Sequence, residues 1–340
     1  MTRPAEGPSI PGLRNVVIAG TGAYLPDRIM PNSELETMVD TTDHWIVTRT
    51  GMKERRIAGP DEATSDMGAG AARYAIEDAG LNPTDVDMIL VATSTPDMMF
   101  PNTAALVQRE IGATNAVCMD LEAACSGFLY AMEVGRQFIR SGAMDTVLVI
   151  GAEKMSSVVD WEDRGTCVLF GDGAGAAVLR PGTSRGILHT TMGSEGDLAD
   201  LLKIPGGGSR NPATFETVQA RMHYIKMGGQ EVFKHAVSNM FQSAQEVLDY
   251  CGLTIDNVKY VIPHQANARI IRAVGQRLGA KDNQLYANVD KYGNTSAASV
   301  ILAIDEASRA GLLEQGDILM IIVFGAGFTW GASLLEWGRT

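Results

Sequence analysis

The stretch "DAGLNPTDVDMILVAT", Asp78–Thr93, aligns without a gap on "YCGLTIDNVKYVIPHQ", Tyr250–Gln265. Gly80 falls on Gly252, Leu81 on Leu253, Val86 on Val258, Ile89 on Val261 and Leu90 on Ile262, a constant shift of 172 residues. Each stretch closes a helical pattern at a glycine, crosses a short polar link and enters an apolar run of strand length. A second pair, "RSGAMDTVLVIGA" from Arg140 and "RAGLLEQGDILMIIVFGA" from Arg309, is similar at a slightly different shift. Gly-Leu after a helix and apolar strands are each common by chance. The matching order of elements is what favours a duplicated unit.

Outward from these stretches the chain alternates helices with short apolar strands. "NVVIAGTGAYLP" reads as a buried strand and a glycine turn. "ATSDMGAGAARYAIEDAGL" reads as a helix stopped by Gly80, and "ACSGFLYAMEVGRQFIRSG" as one stopped by Gly142. In the second half "GGQEVFKHAVSNMFQSAQEVLDYCGL" is the clearest helix, with Val232, Phe233, Val237, Met240, Phe241, Ala244, Val247 and Leu248 at helical spacing. The helices "NARIIRAVGQRLG" and "TSAASVILAIDEASRAGLL" and the strands "DILMIIVF" and "TWGASLLEW" complete it. The expectation is an α/β fold in two duplicated halves, residues 1–184 and 185–340.

The chain has 340 residues, 45% hydrophobic and 20% charged, which suits a soluble globular protein with a sizeable core. A net charge of −12 disfavours nucleic-acid binding. "MTRPAEGPSIPGLRNV" lacks the apolar region of a secretory signal. No apolar run approaches the ~18 residues of a membrane span. The four cysteines, Cys118, Cys125, Cys167 and Cys251, are too sparse for a disulfide scaffold and form no CxxC pair, so neither a metal site nor an oxidising compartment is expected. A cytoplasmic location is the simplest.

Cys125, in "LEAACSGFLYAME", stands between small residues where a helix begins. Helix N-terminal N–H groups favour a thiolate and so predict a pKa below the usual ~8.5. Free cysteines are also common core residues, and spacing alone leaves Cys125 open between the two roles. His264 ends an apolar strand in "VIPHQAN". His44, His189, His223 and His235 read as ordinary surface or core histidines. Asn294, in "YGNTSA", reads by position as a helix cap. "GTGAYLP" lacks the third glycine of a dinucleotide motif, and "FGDGAGAA" enters a strand rather than a helix, so neither is a phosphate loop.

Six blocks in order carry a more specific signal: "DHWIVTRTGMKERRIA" (Asp43–Ala58), "EAACSGF" around Cys125, "DRGTCVLFGDGAGAAVL" (Asp163–Leu179), "HQANARII" (His264–Ile271), "YGNTSAAS" (Tyr292–Ser299) and "FGAGFTWG" (Phe324–Gly331). With them the chain, from about Asn15 to Trp337, resembles the ketoacyl-acyl-carrier-protein synthase III family of the thiolase-like superfamily. The resemblance implies a five-layered αβαβα fold, a homodimer and a catalytic triad of Cys125, His264 and Asn294. It implies an oxyanion hole from the backbone N–H groups of Cys125 and Ala326. It places coenzyme A at Trp45, Arg49 and Arg164, with Thr50 adjoining, and the acyl pocket at Phe100, Phe324 and Phe328. Lys234 and Arg269 match positions implicated in docking acyl carrier protein, and Arg272 shares the Arg269 helix face at i, i+3, with Arg277 nearby.

The implied reaction is condensation of an acyl-CoA primer with malonyl-acyl-carrier-protein, without metal or redox cofactor. Ala326 departs from the family's usual glycine, and its methyl group would strain the turn if its φ were positive. Rival readings are a relative of specialised metabolism using another starter or malonyl-CoA, a non-condensing Cys-His thioesterase, and a non-catalytic carrier-protein binding module. A degradative thiolase would need a second cysteine in "FGAGFTWG". Hydroxymethylglutaryl-CoA synthase would need a glutamate beside the Cys-His pair, and the sequence does not place one. An elongating synthase would have histidine in place of Asn294.

Overall fold

The computed structural model describes residues 12–338; Met1–Pro11, the start of the segment read as lacking a signal, lies outside them. The first sheet joins β1 (Val16–Tyr24), β4 (Met88–Ala92), β5 (Val117–Leu121), β6 (Val147–Lys154) and β7 (Asp172–Pro181) in the order β1-β7-β6-β4-β5. The second joins β8 (Ile187–Ser194), β11 (Tyr260–Pro263), β12 (Ile318–Gly325) and β13 (Thr329–Glu336) in the order β8-β13-β12-β11. Two small ribbons, β2 (Arg28–Pro31) with β3 (Glu54–Ile57) and β9 (Leu202–Lys203) with β10 (Lys226–Met227), sit outside them.

The two sheets repeat one plan. β1-β7-β6 and β8-β13-β12 are antiparallel, and β6-β4 and β12-β11 are parallel. The counterpart of β5 shrinks to a single parallel bridge, Val261 to Leu285. The first sheet ends at Pro181 and the second begins at Ile187.

Strand periodicity explains the layering. In β6, Val147 and Val149 face one apolar cluster, while Leu148, Ile150 and Ala152 face another. In β12, Leu319, Ile321 and Val323 join the first of these, while Ile318, Met320, Ile322 and Phe324 join a third. Strands buried on both faces need helices on both sides. The helices Gly127–Arg140 and Ser299–Arg309 fill the middle layer, through Phe128, Leu129 and Met132 and through Val300, Ile301 and Ile304. Helix Thr64–Asp78 covers the outer face of the first sheet, and helices Gly229–Cys251 and Ala268–Leu278 cover that of the second. The result is αβαβα, as expected.

One expected turn is not a turn. Gly20 and Gly22 lie inside β1, where a Cβ would meet Ala75 O at 2.5 Å and Ala71 O at 2.3 Å. Glycine serves there to let the outer helix seat on the strand. Gly80 and Gly142 do end their helices, with φ of 66° and 81°. No helix among the described residues is long and apolar enough to cross a membrane.

Candidate active site

The middle-layer helices do not begin directly. Each is preceded by a 3₁₀ turn, Ala124–Ser126 ahead of Gly127 and Ser296–Ala298 ahead of Ser299. Each turn contains a left-handed non-glycine residue, Ala124 at φ 45° and Ser296 at φ 47°, again 172 residues apart. β12 runs tight against the first turn. A Cβ on Gly325 would lie 2.7 Å from Cys125 N, so only glycine fits there.

Cys125, His264 and Asn294 line one cavity of about 440 Å³, together with Ser296, Phe324 and Ala326. Its remaining walls are mostly apolar and include Phe170, Leu202, Ile204, Val232, Phe233, Met240 and Ile270. The two outer helices of the second half supply Val232, Phe233, Met240 and Ile270 to its wall.

His264 is wholly enclosed, and burial holds its imidazole down at about 3, so it is neutral near pH 7. Its Nδ1 lies 2.6 Å from Ser299 Oγ, which accepts from Gln265 N–H at 3.4 Å. If the Ser299 hydroxyl donates to Nδ1, the imidazole proton sits on Nε2 and is available to donate. Asn294 is oriented by the same logic. Its Oδ1 accepts from Ser296 N–H at 2.8 Å, which leaves the amide hydrogens to donate. Asn294 thus braces a turn, as a cap would, and also lines the cavity.

The expected lowering of the Cys125 pKa is overturned. Burial pushes the thiol up to about 12, helped by the charge of Glu153, although a hydrogen bond from Ser296 and the backbone pull it down. Burial of the thiol outweighs the helix N-terminus.

The other expected residues divide. The guanidinium of Arg164 stacks 5.0 Å above the Trp45 ring, with that of Arg49 at 6.0 Å. This cluster adjoins the cavity through Asn267, a lining residue whose amide donates to Arg49 O at 3.2 Å. Thr50 does not join it: the side chain is buried, and its hydroxyl donates to Ile46 O at 2.7 Å and accepts from Met52 N–H at 3.0 Å. Phe324 lines the cavity, but the fully buried Phe328 packs against it, ring centroids 4.8 Å apart, and is not among this cavity's lining residues. Phe100 is 85% exposed on a loop and is not part of this chain's cavity wall. Ala326 is not among the residues at positive φ, so its methyl group causes no strain. Lys234, Arg269 and Arg272 are exposed on the two outer helices of the second half, with Arg269 5.5 Å from the ring of the lining residue Phe233.

Sequence reasoning missed Glu153. It is wholly buried near the end of β6 and hydrogen-bonded to Ser296. In sequence it is one acid in "VLVIGAEK", and only its position in an otherwise apolar strand sets it apart.

A buried cysteine, a neutral histidine and an asparagine amide around an apolar cavity in an αβαβα fold form an arrangement suited to acyl transfer. The family described as 3-oxoacyl-[acyl-carrier-protein] synthase III matches residues 119–196, and its C-terminal part matches residues 248–337. Beta-ketoacyl-[acyl-carrier-protein] synthase III of Caldanaerobacter subterraneus is 54% identical over 323 residues, covering 95% of this chain and 98% of that protein. The crystal structure of 3-oxoacyl-[acyl-carrier-protein] synthase III from Aquifex aeolicus superposes with a TM-score of 0.89 at 46% identity, covering 95% of this chain and all of that one (100%). The priming β-ketosynthase of the R1128 polyketide biosynthetic pathway superposes with a TM-score of 0.90 at 36% identity, covering 98% of this chain and 100% of that one. The chain belongs to the 3-oxoacyl-[acyl-carrier-protein] synthase III family and is a condensing acyltransferase.

Proposed function

We propose that this chain starts fatty acid synthesis by decarboxylative condensation of an acyl-CoA primer with malonyl-acyl-carrier-protein. The observation that carries the residue assignment is the meeting of Cys125, His264 and Asn294 on one apolar cavity. The Cys125 sulfur attacks the acyl thioester, and CoA leaves. Backbone N–H groups of Cys125 and Ala326 stabilise the tetrahedral oxyanion. Malonyl-acyl-carrier-protein then places its thioester oxygen at His264 Nε2–H and the Asn294 amide. These neutral donors favour an enolate as CO₂ departs, and the enolate carbon attacks the acyl-cysteine. Loss of CO₂ drives the step, so the reaction as written needs no metal or redox cofactor.

Trp45, Arg49 and Arg164 form the coenzyme A site, and Lys234, Arg269 and Arg272 receive the acidic carrier protein on the two outer helices of the second half. We further read the chain as a cytoplasmic homodimer whose halves meet at 184/185. Support for the dimer comes from Met99, 81% exposed, and Phe100 beside the exposed edge strand β5, where Val117 is 52% exposed. A free sheet edge with large apolar neighbours is a surface that proteins cover. In a dimer Phe100 would close the partner's acyl pocket.

Incubation with acetyl-CoA followed by intact-mass measurement tests this. Wild type gains one acetyl group and Cys125→Ala gains none; an adduct that survives the substitution refutes the nucleophile assignment. Supplied next with malonyl-acyl-carrier-protein or malonyl-CoA, the acyl-enzyme should condense with the former. Condensation only with malonyl-CoA, or hydrolysis alone, refutes the proposed partner.

A further inference from the structure

Glu153 has no place in the chemistry above, yet it is wholly buried and every contact it makes is with a donor. Its Oε1 accepts from Ser296 Oγ–H at 2.9 Å and its Oε2 from Thr95 Oγ1–H at 2.6 Å. Thr93 Oγ1–H reaches Oε2 at 3.3 Å, and Ser94 N–H reaches both oxygens at 3.1 Å. Among the described residues Glu153 forms no ion pair; the adjacent Lys154 turns away to Gly59 O and Glu62 O, each at 2.7 Å. The nearest further acid in this network is Glu122, held by Ser94 Oγ–H at 3.0 Å and by Ala124 N–H at 2.9 Å. Ser296 lines the same cavity as Cys125, and its hydroxyl favours the thiolate form of that cysteine. One hydroxyl therefore stands on the cavity wall with the sulfur and is hydrogen-bonded to the buried carboxylate.

We propose that Glu153 is the proton store for Cys125, filled and emptied through the Ser296 hydroxyl. The inference rests on the acyl transfer described above. In the resting site Cys125 S–H donates to Ser296 Oγ, and Ser296 Oγ–H donates to Glu153 Oε1. On activation the S–H bond breaks and an O–H bond forms at Ser296. The original Ser296 O–H bond breaks and an O–H bond forms at Glu153. Ser296 stays neutral and now donates to the thiolate.

The thiolate takes the acyl group, and CoA leaves as a thiolate that is protonated by solvent. Glu153 holds its proton through the acyl-enzyme. When the enolate carbon attacks and the C–S bond to Cys125 breaks, the expelled thiolate recovers that proton by the same path. The cycle closes with one solvent proton consumed, on CoA. Glu153 touches neither substrate nor sulfur and is a positioning residue.

The alternatives cost more. Releasing the thiol proton to bulk water would put a second negative charge in a buried site near the Glu153 carboxylate, whereas the relay only moves the existing charge. Protonating His264 would create a buried imidazolium in a place that holds the ring neutral down to about 3. Glu153 is better matched, because burial raises its carboxyl to about 7 against the hydrogen bonds that lower it.

The test uses the full chain and needs no substrate: the rate of iodoacetamide alkylation at Cys125 against pH, followed by peptide mass spectrometry. The relay predicts that Glu153→Gln slows alkylation at pH 7 by about tenfold or more and moves the profile to higher pH. Ser296→Gly should do the same; glycine accepts the left-handed φ, so this variant keeps the turn and removes only the hydroxyl. Denaturant unfolding confirms that both are folded.

A purely Coulombic role predicts the opposite sign, since removal of a negative charge would speed alkylation. Faster alkylation of Glu153→Gln, or profiles unchanged in both variants, overturns the proposal. Acetyl-CoA run in parallel separates the two readings: a wild type that alkylates but takes no acetyl group refutes the condensing function, while the alkylation profiles still decide the relay.

Discussion

The turn at Ala123–Gly127 and the turn at Thr295–Ser299 share a backbone and differ in chemistry. Each carries a left-handed residue, and each uses a side chain two residues earlier to hold that residue's N–H, Glu122 for Ala124 and Asn294 for Ser296. Each is pressed by a glycine from the central strand of the opposite half. A Cβ on Gly325 would lie 2.7 Å from Cys125 N, and one on Gly151 would lie 2.5 Å from Ala297 O. The residue after the left-handed position is Cys125 in one turn and Ala297 in the other. Duplication thus supplied two equivalent mounts. One carries Cys125, the proposed nucleophile; the other has alanine at the matching position and brings Asn294 and Ser296 to the same cavity.

The most damaging way to break this equivalence is at the two glycines. Gly325→Ala should displace the Cys125 N–H and cut the rate of acyl-enzyme formation by about 10²-fold or more. Gly151→Ala should cost about 1–3 kcal/mol in denaturant unfolding, because it presses only on the second mount, with a smaller loss of acylation. Equal losses of acylation would show that the mounts are not functionally distinct.

Charge reversal at Lys234, Arg269 and Arg272 comes next. It should raise KM for malonyl-acyl-carrier-protein about tenfold, in a salt-dependent way, and leave acylation by acyl-CoA unchanged, since only the second-half outer helices are altered.

Buried groups from the two halves should also oppose each other in acid. His264 is held at about 3, below its usual 6.5, so the unfolded chain binds more protons and stability falls as pH drops through that window. Glu153 is raised from 4.5 to about 7, so the folded chain binds more protons and stability rises as pH drops from 7 to 4.5. Each term has a limiting slope of about 1.4 kcal/mol per pH unit. Unfolding at pH 7 and pH 5 should show His264→Ala gaining stability on acidification relative to wild type, and Glu153→Gln losing it.

The smallest effect tests the backbone alone. Ala124→Gly should stabilise the chain by up to about 1 kcal/mol, because glycine accepts the left-handed φ that alanine pays for in strain.

The duplication, the strand and helix order and the resemblance to one family were legible in the sequence, because apolar periodicity and ordered motifs are local patterns. The shift of 172 residues that aligned Gly80 with Gly252 also aligns Ala124 with Ser296, a coincidence of φ that no residue type advertises. Cys125, His264 and Asn294 could be named, but not their electrostatics. A helix start suggested an acidic thiol, whereas enclosure by the second half made it a weakly acidic one.

Thr50 and Phe328 were misplaced because burial direction depends on what packs from elsewhere: the hydroxyl of one turned into its own helix and the ring of the other against Phe324. Glu153 was invisible because its significance lies in partners from distant segments, Ser94 and Ser296, 59 and 143 residues away. By itself the sequence determined the order of the elements and named Cys125, His264 and Asn294 as candidates. Tertiary structure alone decided their protonation, because that depends on excluded water and on neighbours brought together only by packing.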